Sequence, residues 1–327
     1  MRSYAGSTVQ PVNASPPQEE LVPAISSVQP RFLDDDDDDD DDKLKPAVTQ
    51  TAGTQGSLPA SSRYFGGLLD SRSCYGSDFF PDPFIGPEFD KDDELEADYS
   101  HGETHGMQDS EVDGEVEWNP VGELTVAGEF GWETDHQAGG QAGDGDDAGV
   151  GNASGVEDVD VAAFHPIFEY VSANGAFDYT AVARVDAGFP TRTPVSTNDL
   201  QLTPYLGHLL RIGDHVSVEG WTGWQFTIAP HQPTQFIYGA NFGYQISRDQ
   251  LDLPFTDAVI PMFELDGQRA LSGVAQDALF GVAGFDWSFP GIGDAQPKVG
   301  IGYEFPVDQG ARDQLRWGVI VQFFLDF

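Results

Sequence analysis

Acidic side chains recur at every second position along much of this chain, and that spacing is its main chemical resource. Glu94, Glu96 and Asp98 alternate, as do Asp113, Glu115 and Glu117. Glu123, Thr125, Glu129 and Glu133 share one parity, and so do Asp178, Thr180, Arg184 and Asp186. Later come Glu219, Gln225, Asn241, Gln245, Glu264, Asp266, Asp286, Glu304 and Gln322. A period of two puts such residues on one face of a β-strand. Carboxylates arrayed in this way around water favour cations and repel anions through their summed field. Other chemistry is thin. His101-Gly-Glu-Thr-His105 is not the helical zinc pattern and reads as a solvated loop. Residues 143–151 (GDGDDAGVG) carry one copy of a calcium-repeat-like pattern, and one copy cannot stack a β-helix. His215 and Ser217 share a face, but no third group is evident to orient them for nucleophilic catalysis. No phosphate-binding Gly loop, dinucleotide fingerprint or Cys/His zinc set occurs. The expectation is a protein without catalysis, cofactor or ordered metal centre.

The alternate positions on the same stretches are apolar. Phe177, Tyr179, Ala181, Ala183, Val185, Ala187 and Phe189 form one such row. Phe236, Tyr238, Ala240, Phe242, Tyr244 and Ile246 form another, and Leu279, Gly281, Ala283, Phe285, Trp287 and Phe289 a third. At the end of the chain, Leu315, Trp317, Val319, Val321, Phe323, Leu325 and Phe327 alternate with Arg316, Gly318, Ile320, Gln322, Phe324 and Asp326. Aromatics recur near the ends of these rows with smaller residues between them. Such banding predicts two interfacial girdles, built from Trp132, Phe177, Tyr179, Phe189, Trp224, Tyr238, Tyr244, Phe285, Trp287, Trp317 and Phe327.

About twelve strands are predicted, near 92–101, 110–118, 122–133, 161–171, 176–189, 199–211, 214–228, 234–247, 257–267, 276–289, 296–306 and 314–327. An even number suits a closed antiparallel barrel. Long links are expected at HGETHGMQDS, at 134–160 and at FPTRTPVSTND; tight turns are expected at 119–122, 172–175 and 212–214. The links near 248–256 and 290–295 are longer than that pattern. Pro204 and Pro261 each remove a ladder hydrogen bond, so bulges are expected there. His208 is the one titratable group expected on the apolar face. Arg184, Arg211 and Arg316 are available to pair with the acids.

Residues 1–62 are rich in Pro, Ser, Gln, Thr and Ala and include the unbroken run Asp34–Asp42. Such a segment is expected to stay disordered, with the run a solvated tail that can collect divalent cations. Residues 63–91 mix aromatics and Pro without period and are expected to pack at or inside the barrel mouth. Residues 92–327 form the barrel. The net charge of −40 repels phosphate backbones, which excludes nucleic acid as a partner. Cys74 is the only cysteine, so no internal disulfide forms. No run of eighteen apolar residues is present, but barrel strands need none. The first residues, MRSYAGSTVQPVNASPP, lack an apolar signal core. A barrel reading then requires a signal already cleaved or encoded upstream of Met1.

The closing LRWGVIVQFFLDF resembles the last strand of bacterial outer-membrane β-barrels, whose terminal aromatic is read by the assembly machinery. LQLTPYLGHLLRIGDHVSVEG, VIPMFELDGQRALSG, DALFGVAGFDWSFP and KVGIGYEFPV resemble a family of outer-membrane barrel transporters that includes components of a phenol-degradation pathway. The resemblance spans roughly 92–327 and implies a Gram-negative outer-membrane location, with lipid and the assembly machinery as partners. The fold class expected is therefore all-β: a closed antiparallel transmembrane barrel of about twelve strands with apolar residues outward. Its expected function is a passive porin-like channel. Glu115, Glu117, Glu129, Asp178, Arg184, Asp186, Glu219, Glu264, Asp286 and Glu304 would line the lumen and set cation selectivity. Two alternatives stay open: a plugged, non-conducting barrel that acts in structure or surface interaction, and a secreted soluble β-protein with its apolar face inward.

Overall fold

The computed structural model describes residues 61–327, apart from 65–68, 70–72, 74, 77–78, 92, 105–106, 138–152, 175, 197–198, 229–233, 273–276 and 294. The Asp34–Asp42 run, Cys74, His105 and the 143–151 pattern lie outside the described residues. Ser61 and Ser62, assigned by sequence to the tail, belong to a strand.

The strands are β1 (Ser61–Tyr64), β2 (Glu94–Thr104), β3 (Met107–Val121), β4 (Leu124–Gln137), β5 (Ala153–Val156), β6 (Val159–Val171), β7 (Phe177–Phe189) and β8 (Gln201–Ile212). They continue with β9 (Val216–Thr227), β10 (Thr234–Tyr244), β11 (Ile246–Ser247), β12 (Ala258–Ala270), β13 (Ala278–Ser288), β14 (Gln296–Pro306) and β15 (Trp317–Asp326). Two short helices, α1 (Arg248–Leu251) and α2 (Gln309–Gln314), sit in links. Twelve strands are long, and each pairs antiparallel with its sequence neighbour among them. β15 pairs β2, and β4 pairs β6, so the sheet closes on itself. Closure leaves the wall without the unpaired edge of an open sheet. An eleven-residue strand is about 36 Å long at ~3.3 Å per residue. Tilted by about 40°, it spans roughly 28 Å, enough for a ~25 Å apolar band.

The seam between β4 and β6 is uneven. β4 meets β6 only over Thr125–Glu129 against Phe164–Asp160. Toward the other end of β6, β1 takes over the pairing, with Ser61 opposite Val171 and Tyr64 opposite Phe168. Beyond Glu129, β5 pairs the upper part of β4, with Trp132 opposite Val156. Each half of the seam thus recruits a short extra strand.

Short turns crowd one end of the barrel, here the turn end; Gly122 and Gly213 supply the positive φ (60° and 66°) that two of them need. The opposite, loop end carries the longer links. The stretch HGETHGMQDS is an exception: β2 and β3 run through it as a hairpin, so it is not the long loop expected. The two links that looked too long hold structure, namely β11 with α1 and an Ile292–Ala295 bridge. Neither Pro204 nor Pro261 makes a bulge. Pairing lapses on one side of each proline while the register stays in step across the gap, so the lost N–H is accommodated without inserting a residue. The register shifts lie instead between Pro166 and Phe168 and between Trp118 and Val121.

The apolar face points outward. Val112, Val116, Phe130, Phe242, Ile301 and Phe323 are exposed, whereas Glu94, Glu117, Glu219, Glu264, Asp286 and Gln322 are buried within the barrel. A soluble sandwich or barrel would show the reverse order. His208 lies on the outward face, where the Tyr179 hydroxyl meets its Nδ1 at 2.7 Å. It has company: His165 also faces outward next to the Pro166 irregularity, and His101 and Glu103 do so at the loop end. Among the described residues no helix is long and apolar enough to cross a membrane, which says nothing about crossing by strands.

Candidate functional site

The lumen is the candidate site, and it has two unlike halves. The half nearer the turn end is filled by the chain itself. After β1, the described part of 69–91 enters the barrel, turns at Phe84–Gly86 near its middle, and returns to the start of β2. Phe80, Phe84, Phe89, Asp82 and Asp90 are buried there. Tyr75, Phe80 and Phe89 pack on Phe164, Val182, Leu209 and Trp221, which point inward from β6, β7, β8 and β9. Phe84 packs on Met262, Val282 and Ile320 from β12, β13 and β15. Inward glycines make room: a Cβ at Gly207 would collide with the Phe89 ring, and one at Gly284 with Phe84. The sequence reading of the inward face as polar, small and acidic therefore needs correction. A lumen this wide cannot be filled by wall side chains alone; the internal segment fills it, and its aromatics require apolar partners on the wall.

Polar wall groups hold the segment by its backbone. The Phe84 N–H donates to Glu264 Oε2 at 2.7 Å, and the Ile85 N–H to Glu264 Oε1 at 3.2 Å. Asn241 Nδ2 donates to the Pro81 carbonyl (3.3 Å) and reaches Glu219 Oε2 at 3.5 Å. Gln322 Nε2 donates to the Pro83 carbonyl (3.1 Å) and to Glu96 Oε1 (3.2 Å). Arg184 Nη1 donates to the Glu88 carbonyl (2.6 Å), while its Nε pairs with Asp186 at 2.8 Å and its guanidinium lies over the Phe164 ring. A turn without secondary structure of its own thus has several backbone groups satisfied by the wall, as buried amides require.

Above the segment lies a cavity of about 600 Å³ that extends to Gly102, Asp109 and Gln314 at the loop end. Among the described residues its wall carries Glu96, Asp98, Asp109, Glu111, Asp113, Glu115, Glu129, Asp186 and Glu304 from the strands, with Asp82 and Glu88 completing eleven carboxylates. Among the described lining residues one permanently charged base, Arg184, stands against them.

The ten residues expected in the lumen all lie on the inward side, but in different settings. Glu115, Glu129, Arg184, Asp186 and Glu304 line the cavity. Glu117, Asp178, Glu219, Glu264 and Asp286 are buried lower down, around or beneath the internal segment. Asp178 pairs with Arg211 at 3.0 Å. Arg316 is not a lumen partner: it meets Glu103 at the loop-end rim, 2.8 Å away. Of the aromatic residues, Phe177, Tyr244, Trp287 and Phe327 are exposed near the turn end, and Trp132, Phe189, Trp224 and Tyr238 toward the loop end. Tyr179, Trp317 and Phe285 are half-buried, with Phe285 near mid-strand rather than at a strand end. His215 stacks on the outward Tyr244 and donates from Nδ1 to the Gln245 carbonyl (3.0 Å), while Ser217 is buried inside; the two form no catalytic pair.

Asp82, Glu88, Trp221 and Lys298 went unrecognised by sequence reasoning. Trp221 and Lys298 do sit at inward parity, and Trp221 Nε1 donates to Asp266 (3.2 Å). Asp82 and Glu88 flank the Pro-Phe-Ile-Gly-Pro turn, where no periodicity reveals a direction.

No family model matches the chain, and no curated protein does. Several solved barrels are similar in fold. An outer-membrane channel from Pseudomonas putida F1 is 12% identical, with a TM-score of 0.47 over 76% of this chain and 100% of that one. The NanC porin is 10% identical (TM-score 0.44, covering 71% of this chain and 98% of its own). The KdgM porin is 12% identical (TM-score 0.39, with the same coverage). Likeness at this level does not bear on function.

Proposed function

We propose that this chain is a porin-like channel of a bacterial outer membrane that favours small cations and is closed in this conformation by residues 79–90. One observation carries the reading: the two faces of a closed sheet are sorted with apolar residues outward and a strongly acidic chamber inward. Water outside such a wall would face exposed Phe, Val and Trp in a continuous belt, which lipid removes. In hydrocarbon the backbone must satisfy its own hydrogen bonds, and a closed sheet of strands does so. Among the described lining residues, eleven carboxylates against one arginine favour cation entry. The transported solute class follows from charge and chamber size: small and cationic or neutral. The lumen residues named above set selectivity, and the outward aromatics anchor the barrel at the two interfaces.

A plugged barrel with a structural or binding role is the second reading, favoured by the filled turn-end half of the lumen. Planar-bilayer recording separates the two. The channel reading expects small or rare openings from the wild-type chain, larger ones after loosening of residues 79–90, and a reversal potential in a salt gradient that reports cation preference. Silence from both proteins, or anion preference, would refute it.

A further inference from the structure

Where the internal segment meets the first barrel strand, three carboxylates converge. One oxygen each from Asp82, Glu88 and Glu94 lie within 4.8 Å of one another. Three oxygens so spaced can all reach a cation at roughly 2.3–2.8 Å, the range of calcium–oxygen bonds or slightly beyond. Crowding of acids is not enough to make a site, but Glu94 adds a separate fact. It is 1% exposed, and neither of its carboxylate oxygens has a hydrogen-bond partner among the described residues. A carboxylate fully removed from water with nothing to bond is costly by several kcal/mol unless a cation or proton compensates it. Its cross-strand neighbours on both sides are acids themselves, Asp326 and Glu117.

Two nearby cations among the described residues, Lys298 and Lys91, have partners outside the trio. Lys298 Nζ lies 3.0 Å from Asp326 and 3.5 Å from Asp82. Lys91 turns to Glu123, at 3.0 Å. Lys298 is thus nearer to Asp326, outside the trio, than to Asp82 within it. The donor set is all carboxylate oxygen, which selects a hard divalent ion over zinc or copper. Asp82 and Glu94 are closed off from solvent, leaving little room for the water shell magnesium retains. Calcium accepts irregular, mostly protein ligation.

We propose that Asp82, Glu88 and Glu94 bind one calcium ion that fastens the lumen segment to the wall of the barrel. Asp82 and Glu88 lie on either side of the Phe84–Gly86 turn, and Glu94 opens β2, so a single ion would tie both arms of the turn to the sheet. The site does not depend on conduction: a barrel silent in bilayers would still bind the ion.

The test is calcium binding to the full chain, refolded in detergent and stripped with EDTA, followed by calorimetric titration. A parallel chain with Asp34–Asp42 replaced by asparagine separates this site from the acidic tail. Both chains are expected to bind one tight equivalent, with magnesium at least tenfold weaker. Glu94→Gln and, at a half-buried position, Glu88→Gln should each weaken that equivalent at least tenfold while heat-modifiable migration on gels confirms a folded barrel. The pair of variants guards against one failing to fold. Absence of a saturable equivalent once the tail is neutralised would overturn the proposal, and so would wild-type affinity in the folded variants. Equal affinity for magnesium would overturn the assignment to calcium.

Discussion

Glu264 is the group on which closure of the lumen can be tested most directly. Its carboxylate receives the Phe84 and Ile85 N–H groups at 2.7 and 3.2 Å, at the point where the internal segment reverses. A hydrogen bond to a carboxylate contributes about 1.5–3 kcal/mol. Losing two at the low end removes about 3 kcal/mol, and at ~1.4 kcal/mol per factor of ten that is roughly a 100-fold shift toward an undocked turn. Glu264→Ala removes both acceptors. Gly86→Val reaches the same end by a different route, because a side chain there collides with the Trp221 ring and Glu264. Hydrogen exchange on the barrel in detergent reads docking without reference to conduction: amides of 79–90 should lose protection in both variants while those of β13 and β14 keep theirs. Bilayer recording of the same proteins should show larger or more frequent openings. Unchanged protection in both variants would show that Glu264 and the fit around Gly86 do not hold the turn.

Two further outcomes follow from other parts of the wall. Ile301 lies at the centre of β14 and faces outward, so Ile301→Arg should cost roughly 2–4 kcal/mol in lipid vesicles. An unchanged denaturant midpoint in vesicles would place that face away from hydrocarbon. At the loop end, burial pushes the Glu157 carboxyl up to about 10, and the adjacent Glu111 and Asp113 add to the rise. The fold then holds a proton that the unfolded chain releases near ~4.3, so the β4–β5 pairing is firmest in acid and weakens as pH climbs toward 10. Exchange protection at Trp132–Asp135 should fall between pH 6 and 10 in the wild type and fall less steeply in Glu157→Gln; parallel profiles would refute it.

The wall of the barrel was largely legible in the sequence, and its contents were not. Period-two alternation is a local signal, and it placed β14 at 296–306, where it lies, and fixed which side of β15 faces out. The signal failed where alternation fades. Near the loop end the outward positions of β2 and β3 turn polar, as with His101, Glu103, Gln108 and Ser110, so strand looked like loop. The fate of Pro204 and Pro261 depends on which neighbour each missing N–H would have faced, a property of pairing that one strand does not encode. The inward apolar residues were the telling omission. Phe164, Val182, Leu209 and Trp221 share parity with the acids, yet each reads as noise until the segment carrying Phe80 and Phe89 is placed against them. Long-range packing of an aperiodic stretch leaves no periodic trace.

The magnitudes also decide how such a lumen can open. Withdrawing the whole internal segment would expose Tyr75, Phe80, Phe84 and Phe89, all buried, together with the inward Trp221 and Leu209 they cover. At about 1.5–3 kcal/mol per buried large side chain, the four segment residues alone oppose extraction by roughly 6–12 kcal/mol. That is comparable to the total stability of many domains. Moving only the Phe84–Gly86 turn exposes one buried ring and breaks the two bonds to Glu264, roughly 4.5–9 kcal/mol, whereas full withdrawal adds those same bonds to its own sum. A few favourable contacts elsewhere can offset the smaller sum but not the larger. In the proposed channel, ions therefore pass a shifted turn, with Phe80 and Phe89 still seated on the wall and Asp82 and Glu88 still beside Glu94. On that proposal the acids that meet a passing ion are those of the chamber and of the turn's own flanks, with the selective step at mid-barrel rather than at either mouth.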